Sequence, residues 1–143
     1  MGKGAMKADE CIFFQLAKAS QVGARFWGRR VAGLNLTAVQ AMVIRFLHDS
    51  DRLTSSDLGK KTGLDSATLT GILDRLETGG LIERKPNPDD RRSILIHLTE
   101  KGRDIGDTVA QMMEEANADF LRNFKSDEAN LLRRLLCAIR QQG

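Results

Sequence analysis

Between positions 84 and 92 the chain gathers Arg84, Lys85, Arg91 and Arg92, with Asp89 and Asp90 among them, around a stretch rich in Pro and Asn. Arginine at a hairpin tip enters the narrow minor groove of A·T-rich duplex, where negative potential is enhanced. A neighbouring carboxylate fixes its geometry through a bidentate pair. Upstream, Ser66, Ala67, Thr68, Thr70 and Gly71 form a run of small side chains and hydroxyls. Such a surface fits a major groove about 12 Å wide, with Thr meeting base edges and thymine methyls. Ser66 or Thr68 could also hold a phosphate at a helix N-terminus. Gly71 stands out because a mid-helix glycine costs roughly 1 kcal/mol relative to alanine. Close approach of DNA and close approach of a neighbouring helix are the two readings of it.

Other chemistries find few residues. Cys11 and Cys137 lie near opposite ends without metal-ligand spacing, and His48 and His97 are equally isolated, so neither a disulfide framework nor a metal centre is expected. Nothing has the pattern of a catalytic triad, a P-loop or a nucleotide-binding glycine fingerprint. The expectation is a protein that is not an enzyme and carries no cofactor.

The elements that must position the polar run and the hairpin follow from periodicity. A first helix is expected over about 9–32, with Ile12, Phe13, Leu16, Ala19, Val22, Phe26 and Trp27 spread around more than one face, and Gly33 ending it. Thr37 and Gln40 have the spacing of a capping box, opening a second helix with Val39, Met42, Val43, Phe46 and Leu47 inward. Thr54 caps a short third helix that stops at Gly63. Asp65 or Ser66 caps a fourth, whose Leu69, Ile72, Leu73 and Leu76 share one side and which ends at Gly79 and Gly80. Period two then replaces period 3.6. Residues 81–85 and 93–98 read as strands flanking a turn over 86–90. A helix-turn-helix followed by a β-hairpin is the outline of a winged helix, more specific than either part alone. Thr99 caps a long helix to about Phe124, and a last helix opens at Ser126 with Leu131, Leu132, Leu135, Leu136 and Ile139. These exceed a minimal winged helix. One apolar helix from each chain end points to intertwined dimerisation, through Ile12, Phe13 and Leu16 and through Leu132, Leu135, Leu136 and Ile139.

Composition bounds these readings. At 143 residues the chain fits one domain, large enough to need neither disulfide nor structural metal. Net charge is +3, and by thirds it is +3 for 1–51, +1 for 52–92 and −1 for 93–143. No basic tail exists, so a nucleic-acid reading must rest on where individual cations stand. No apolar run reaches membrane-span length and the start, MGKGAMKADE, lacks a signal-peptide core. A cytoplasmic protein without membrane contact is expected.

The run from Asp65 to Gly102 resembles the recognition helix and wing of MarR-type transcriptional regulators. Leu36, Thr37 and Gln40 are similar to the start of their second helix, and residues 53–58 to their third. The most specific part is Asp90, Arg91 and Arg92 followed by Leu98 and Thr99, preceded by residues 74–77 and by Gly80 and Leu81. The resemblance covers about 9–140. It implies a mainly α protein (α+β), a winged helix-turn-helix with a two-stranded wing, whose N- and C-terminal helices form a dimerisation lobe. Within a single domain, 1–143, residues 36–98 would be the DNA-binding lobe and 9–32 with 99–143 the dimerisation lobe. The implied partners are a second copy of the chain and a pseudo-palindromic double-stranded operator. By the family pattern Arg92 is the minor-groove residue, Asp90 orients the wing arginines, and Thr68 and Thr70 face the groove. Thr54, Ser55, Arg75, Lys85 and Arg91 join Ser66, Ala67 and Gly71 in that interface. Gly71 stands where many relatives carry arginine, so the base contact made there does not carry over from the resemblance.

Such regulators commonly repress nearby genes and release DNA when a small phenolic or anionic effector enters a crevice between the lobes. Phe26, Trp27, Met42, Phe46 and Met112, with Met113 and Phe120, are the residues here that could line it. Two alternatives stand beside this reading. Redox control through Cys11 resembles that of a peroxide-sensing subset, although those sensors surround the thiol with tyrosines and this chain has none. A winged helix that binds protein rather than DNA is the other, and salt dependence of duplex binding separates it.

Overall fold

The computed structural model describes residues 4–143. Six helices run in the order expected: α1 (Ile12–Val31), α2 (Ala38–Asp49), α3 (Ser55–Thr62), α4 (Ser66–Thr78), α5 (Glu100–Phe120) and α6 (Ser126–Arg140). The strands are β1 (Leu53–Thr54), β2 (Ile82–Asn87) and β3 (Asp90–Leu98), an antiparallel sheet in the order β1-β3-β2. The two-stranded wing is thus β2 and β3, and β1 adds a short third strand through Leu53 opposite Ile96 and Thr54 opposite Leu95.

Capping explains where the helices begin. Thr37 accepts from the Gln40 amide while the Gln40 side chain accepts from the Thr37 amide, as the spacing predicts. Thr54 and Asp57 form the same reciprocal pair at α3. Asp65 caps α4 and Thr99 caps α5. Gly63 takes the left-handed conformation (φ 72°) that closes α3.

Three boundaries differ from the sequence expectations. The first helix is followed by a short 3-10 turn, Ala32–Leu34, and the left-handed stop falls on Asn35 (φ 61°) rather than on Gly33. Asparagine tolerates that conformation through its short polar side chain. The hairpin strands extend to Asn87 and from Asp90, so the turn over 86–90 shrinks; a bulge between Pro86 and Asn87 accommodates the proline within β2. Helix α5 ends at Phe120, and Phe124 lies beyond it.

One apolar core unites α2, α3, α4 and the sheet, with Ile44, Leu47, Leu58, Leu73, Leu76, Ile82 and Ile96 fully buried. Val31 of α1 and Val109 of α5 complete it. The start of α5 is pinned to the end of α4. Thr99 donates its hydroxyl to the Gly80 carbonyl (2.6 Å) and its amide to the Leu81 carbonyl (3.1 Å), and Lys101 Nζ reaches the Gly79 carbonyl (3.2 Å). Gly102 sits so close that an added Cβ would stand 2.0 Å from the Leu81 carbonyl oxygen. Helix α6, by contrast, buries only Ala129, and Leu132, Leu135, Leu136 and Ile139 remain uncovered by the chain itself. Ile12 and Phe13 of α1 are likewise exposed, with Leu16 half-buried. No single helix among the described residues is long and apolar enough to cross a membrane.

Candidate nucleic-acid interface

Helix α4 buries Leu69, Ile72, Leu73 and Leu76 and leaves Ser66, Ala67, Thr68, Thr70, Gly71 and Arg75 on the outside. The hundred-degree advance per residue puts all four leucine and isoleucine side chains on one stripe, which forces the small polar run outward. Asp65 accepts from the Thr68 amide (2.8 Å) and from the Thr68 hydroxyl (2.9 Å). These bonds, the backbone one first, hold its carboxyl below the usual carboxylate range. The Thr70 hydroxyl donates to the Ser66 carbonyl (2.8 Å). The Thr68 and Thr70 hydroxyl hydrogens are therefore engaged within the helix in the free protein. Both threonines and Ser66 are exposed. Around Gly71 nothing lies within 4 Å of a built Cβ, so no neighbouring helix of this chain explains the glycine. Open space in front of the α4 surface is what it provides.

The cations divide into committed and uncommitted groups. Arg84 bridges from β2 to two carboxylates of α4, Asp74 at 2.8 Å and Glu77 at 3.1 Å. It neutralises the acidic pair that would repel phosphate and ties the wing to the helix. Sequence reading counts Arg84 with the hairpin cations, and the signal for its actual role is the i,i+3 spacing of Asp74 and Glu77. Lys85 lies 3.4 Å from Glu83, both exposed. Among the described residues, Arg75, Arg91 and Arg92 are exposed and have no carboxylate within 4.0 Å.

Asp90 does not pair with a wing guanidinium. Its carboxylate accepts from the Arg92 backbone amide (3.0 Å), and its carbonyl accepts from the Ser93 hydroxyl (3.3 Å). Asn87 donates to Ser93 Oγ (3.0 Å) and accepts from the Asp89 amide (3.0 Å). The aspartate organises the backbone of the tip, an Asx-type arrangement, and leaves the arginine heads unrestrained. Thr54 caps α3 as its position predicts. Half-buried, its hydroxyl accepts from the Asp57 amide (3.1 Å) as a helix cap, while Ser55 beside it is exposed. Thr54 groups hold the Asp57 carboxyl below its ordinary value, the side-chain bond first and the backbone bond second.

Behind this face, between α1, α2, α5 and the α3–α4 turn, lies a cavity of about 470 Å³. Phe26, Trp27 and Met42 line it together with Met113, Phe120 and Asn117, while Thr62 and Leu64 bring the turn into its wall. Phe26 and Phe120 meet edge to face with centroids 5.1 Å apart. The Trp27 indole donates to the Ala38 carbonyl (3.2 Å), joining α1 to α2. Phe46 and Met112 do not line the cavity. Phe46 packs on the main core, and Met112 is a hundred degrees around α5 from Met113, which takes the inward position.

A profile of the MarR family matches residues 36–94. An organic hydroperoxide resistance transcriptional regulator of Bacillus subtilis is 34% identical, covering 91% of this chain and 92% of that relative. Among solved structures, a mutant MarR from Escherichia coli complexed with operator DNA superposes with a TM-score of 0.83 at 29% identity, covering 90% of this chain and 92% of that one. BpsR of Bordetella bronchiseptica, described for regulation of its DNA binding by 6-hydroxynicotinic acid, gives a TM-score of 0.89 at 26% identity over 96% of this chain and 98% of its own.

Proposed function

The chain belongs to the MarR family of winged-helix transcriptional regulators, and from that premise we propose that it is a homodimeric repressor of a pseudo-palindromic operator, released by a small molecule. Carrying the reading is the juxtaposition of an outward Ser/Thr/Gly surface on α4 with the uncommitted Arg75, Arg91 and Arg92. Residues 66–71 of α4 enter the major groove, Arg75, Lys85 and Arg91 meet the backbone, and Arg92 reaches the adjacent minor groove. Ser55 adds a phosphate contact at the start of α3. Residues 36–98 act as the DNA-binding lobe. The exposed apolar stripes of α1 and α6, from 9–32 and 99–143, cover one another between two copies. Two-fold symmetry places the α4 helices about 10 bp apart or a multiple of it.

The effector site is the interlobe cavity, where Phe26, Trp27 and Met42 surround the ligand. Because Thr62 and Leu64 form part of its wall, an occupant acts directly on the turn that holds α4. The operator-bound and small-molecule-regulated relatives support this reading. Selection of bound duplexes from a random pool tests it, followed by affinity measurements over a salt series. A two-fold motif and a steep loss of affinity with salt are expected, since the logarithmic slope counts phosphates neutralised. Absent or salt-insensitive duplex binding assigns the fold to protein interaction instead.

A second reading, redox control, is favoured by the placement of Cys11, a free and partly exposed cysteine, as the N-cap of α1, and by the hydroperoxide-regulator relative. Loss of duplex affinity on treatment with an organic hydroperoxide, abolished in Cys11→Ser, is its expected signature.

A further inference from the structure

Resting on the cavity as the effector site, we propose that it selects an uncharged aromatic ligand and rejects carboxylates and other anions. None of the fifteen residues that line it is a Lys, Arg, His, Asp or Glu. The side-chain donors that line its interior are mostly engaged, which leaves the backbone amides of Ala38 and Val39, in the first turn of α2, as its unpaired main-chain donors. The Trp27 indole N–H goes to the Ala38 carbonyl (3.2 Å), the Thr62 hydroxyl to the Leu58 carbonyl (2.6 Å), and one Asn117 amide hydrogen to the Met113 carbonyl (2.8 Å). Among the side chains, what remains for a polar ligand atom is the second Asn117 hydrogen, the Asn117 carbonyl oxygen and the Ser20 hydroxyl at the exposed rim.

The cation beside the cavity is withheld as well. Arg30 stacks over the Phe26 ring, 4.9 Å from its centroid, and is ion-paired with Asp119. The hydrogen bond from Arg30, followed by its charge, keeps the Asp119 carboxyl below its ordinary value, so the pair is intact at neutral pH. An anion entering this space would shed water and gain no side-chain counterion, with the first-turn amides of α2 as its main donors, an exchange that disfavours charge relative to a neutral ring. A neutral ring loses little on entry. It gains the faces and edges of Phe26, Trp27 and Phe120 and the polarisable sulfurs of Met42 and Met113. The volume of about 470 Å³ lies within the range of small-molecule sites.

The test uses a nearly isosteric pair that differs in charge, 4-tert-butylbenzamide and 4-tert-butylbenzoate, at neutral pH on the full chain. Binding is read by calorimetry and by fluorescence of Trp27, the one tryptophan in the sequence. The amide is expected to saturate the protein with an affinity about tenfold or more above the benzoate. Gly23→Leu, at a cavity-lining position with nothing within 4 Å of its Cβ, abolishes the signal while leaving the melting temperature and duplex binding in place. Ser20→Arg supplies a rim cation and raises benzoate affinity. Equal or tighter binding of benzoate to the wild-type chain overturns the neutral-ligand inference and leaves the cavity as effector site. Failure of both probes to saturate at millimolar concentration overturns the effector cavity together with the inference, and the duplex arm reports separately on DNA binding.

Discussion

Replacing Arg92 by alanine separates a DNA contact from a structural cation. In the free protein the side chain is exposed and no carboxylate lies within 4.0 Å of it. Its removal leaves the fold within about 0.5 kcal/mol of wild type, as for surface sites without special features. On DNA the same change removes one arginine contact from each wing. A specific contact of this kind is worth about 1–3 kcal/mol, so two copies lose about 2–6 kcal/mol, a drop in affinity of roughly 30-fold at the low end. The contrast is Arg84→Ala. That side chain is only 24% exposed and holds Asp74 and Glu77, and two half-exposed pairs contribute about 0.4–2 kcal/mol to stability together. Arg84→Ala should therefore lower the melting temperature and weaken DNA binding by releasing two carboxylates toward phosphate. Anisotropy titrations on a selected duplex over a salt series, beside thermal denaturation, measure both quantities. Affinity of Arg92→Ala within about twofold of wild type, with the salt slope unchanged, refutes the wing assignment.

Gly71→Ala should raise thermal stability by up to about 1 kcal/mol, because the new methyl meets open space in a helix, and should weaken operator binding if the backbone approaches the groove closely; unchanged affinity with raised stability removes that role. Gly102→Ala should do the opposite, destabilising by more than about 3 kcal/mol since its Cβ meets the Leu81 carbonyl at 2.0 Å, and a melting temperature near wild type refutes the tight α5 junction. For Asp65 the bonds from the Thr68 amide and hydroxyl hold the folded carboxyl below its ordinary value of 3.8. Its stabilisation is therefore complete above the unfolded pKa and is lost as pH falls through the lower folded value. The melting-temperature gap between wild type and Asp65→Ala should be constant from pH 7 to 5 and narrow below 3.8; a gap that persists in acid contradicts the charged cap. Truncation before Ser126 should leave a monomer by sedimentation, and a stable dimer of that fragment refutes pairing through the terminal helices.

What was readable in the sequence was what local physics controls. Thr37 with Gln40, Gly63, Asp65 and Thr99 announce helix ends through bonds that span three or four residues, and the α4 stripe announces its buried face by period alone. Residues 81–98 show the wing through the change to period two. Failures occur where a partner distant in sequence decides. Nothing local distinguishes Gly33 from Asn35 as the stop of α1. Met113 rather than Met112 faces the cavity because α5 is rotated by its contact with α2, where Gly106 admits the His48 ring. Phe46 satisfies the same helical period whether it faces core or cavity. Strand β1 is two residues long and exists only because β3 lies beside it.

Charge was the least legible feature, for a physical reason that bears on function. A net charge of +3, and +1 over the segment holding α4 and the wing, describe the far field, whereas recognition depends on which guanidinium heads are free at contact distance. Packing makes that division. Arg84 is drawn to Asp74 and Glu77 across the helix–strand junction, and Arg30 to Asp119 across the α1–α5 contact. Each pairing silences a cation and a carboxylate in one place and so defines a neighbouring surface. Beside Arg84 it leaves an α4 face relieved of repulsion toward phosphate, with Arg75, Arg91 and Arg92 as its available charges. Beside Arg30 it leaves an apolar cavity with no charge to offer an anion. The same operation, an arginine withdrawn into an ion pair, thus prepares one site for a polyanion and closes the other to small ones.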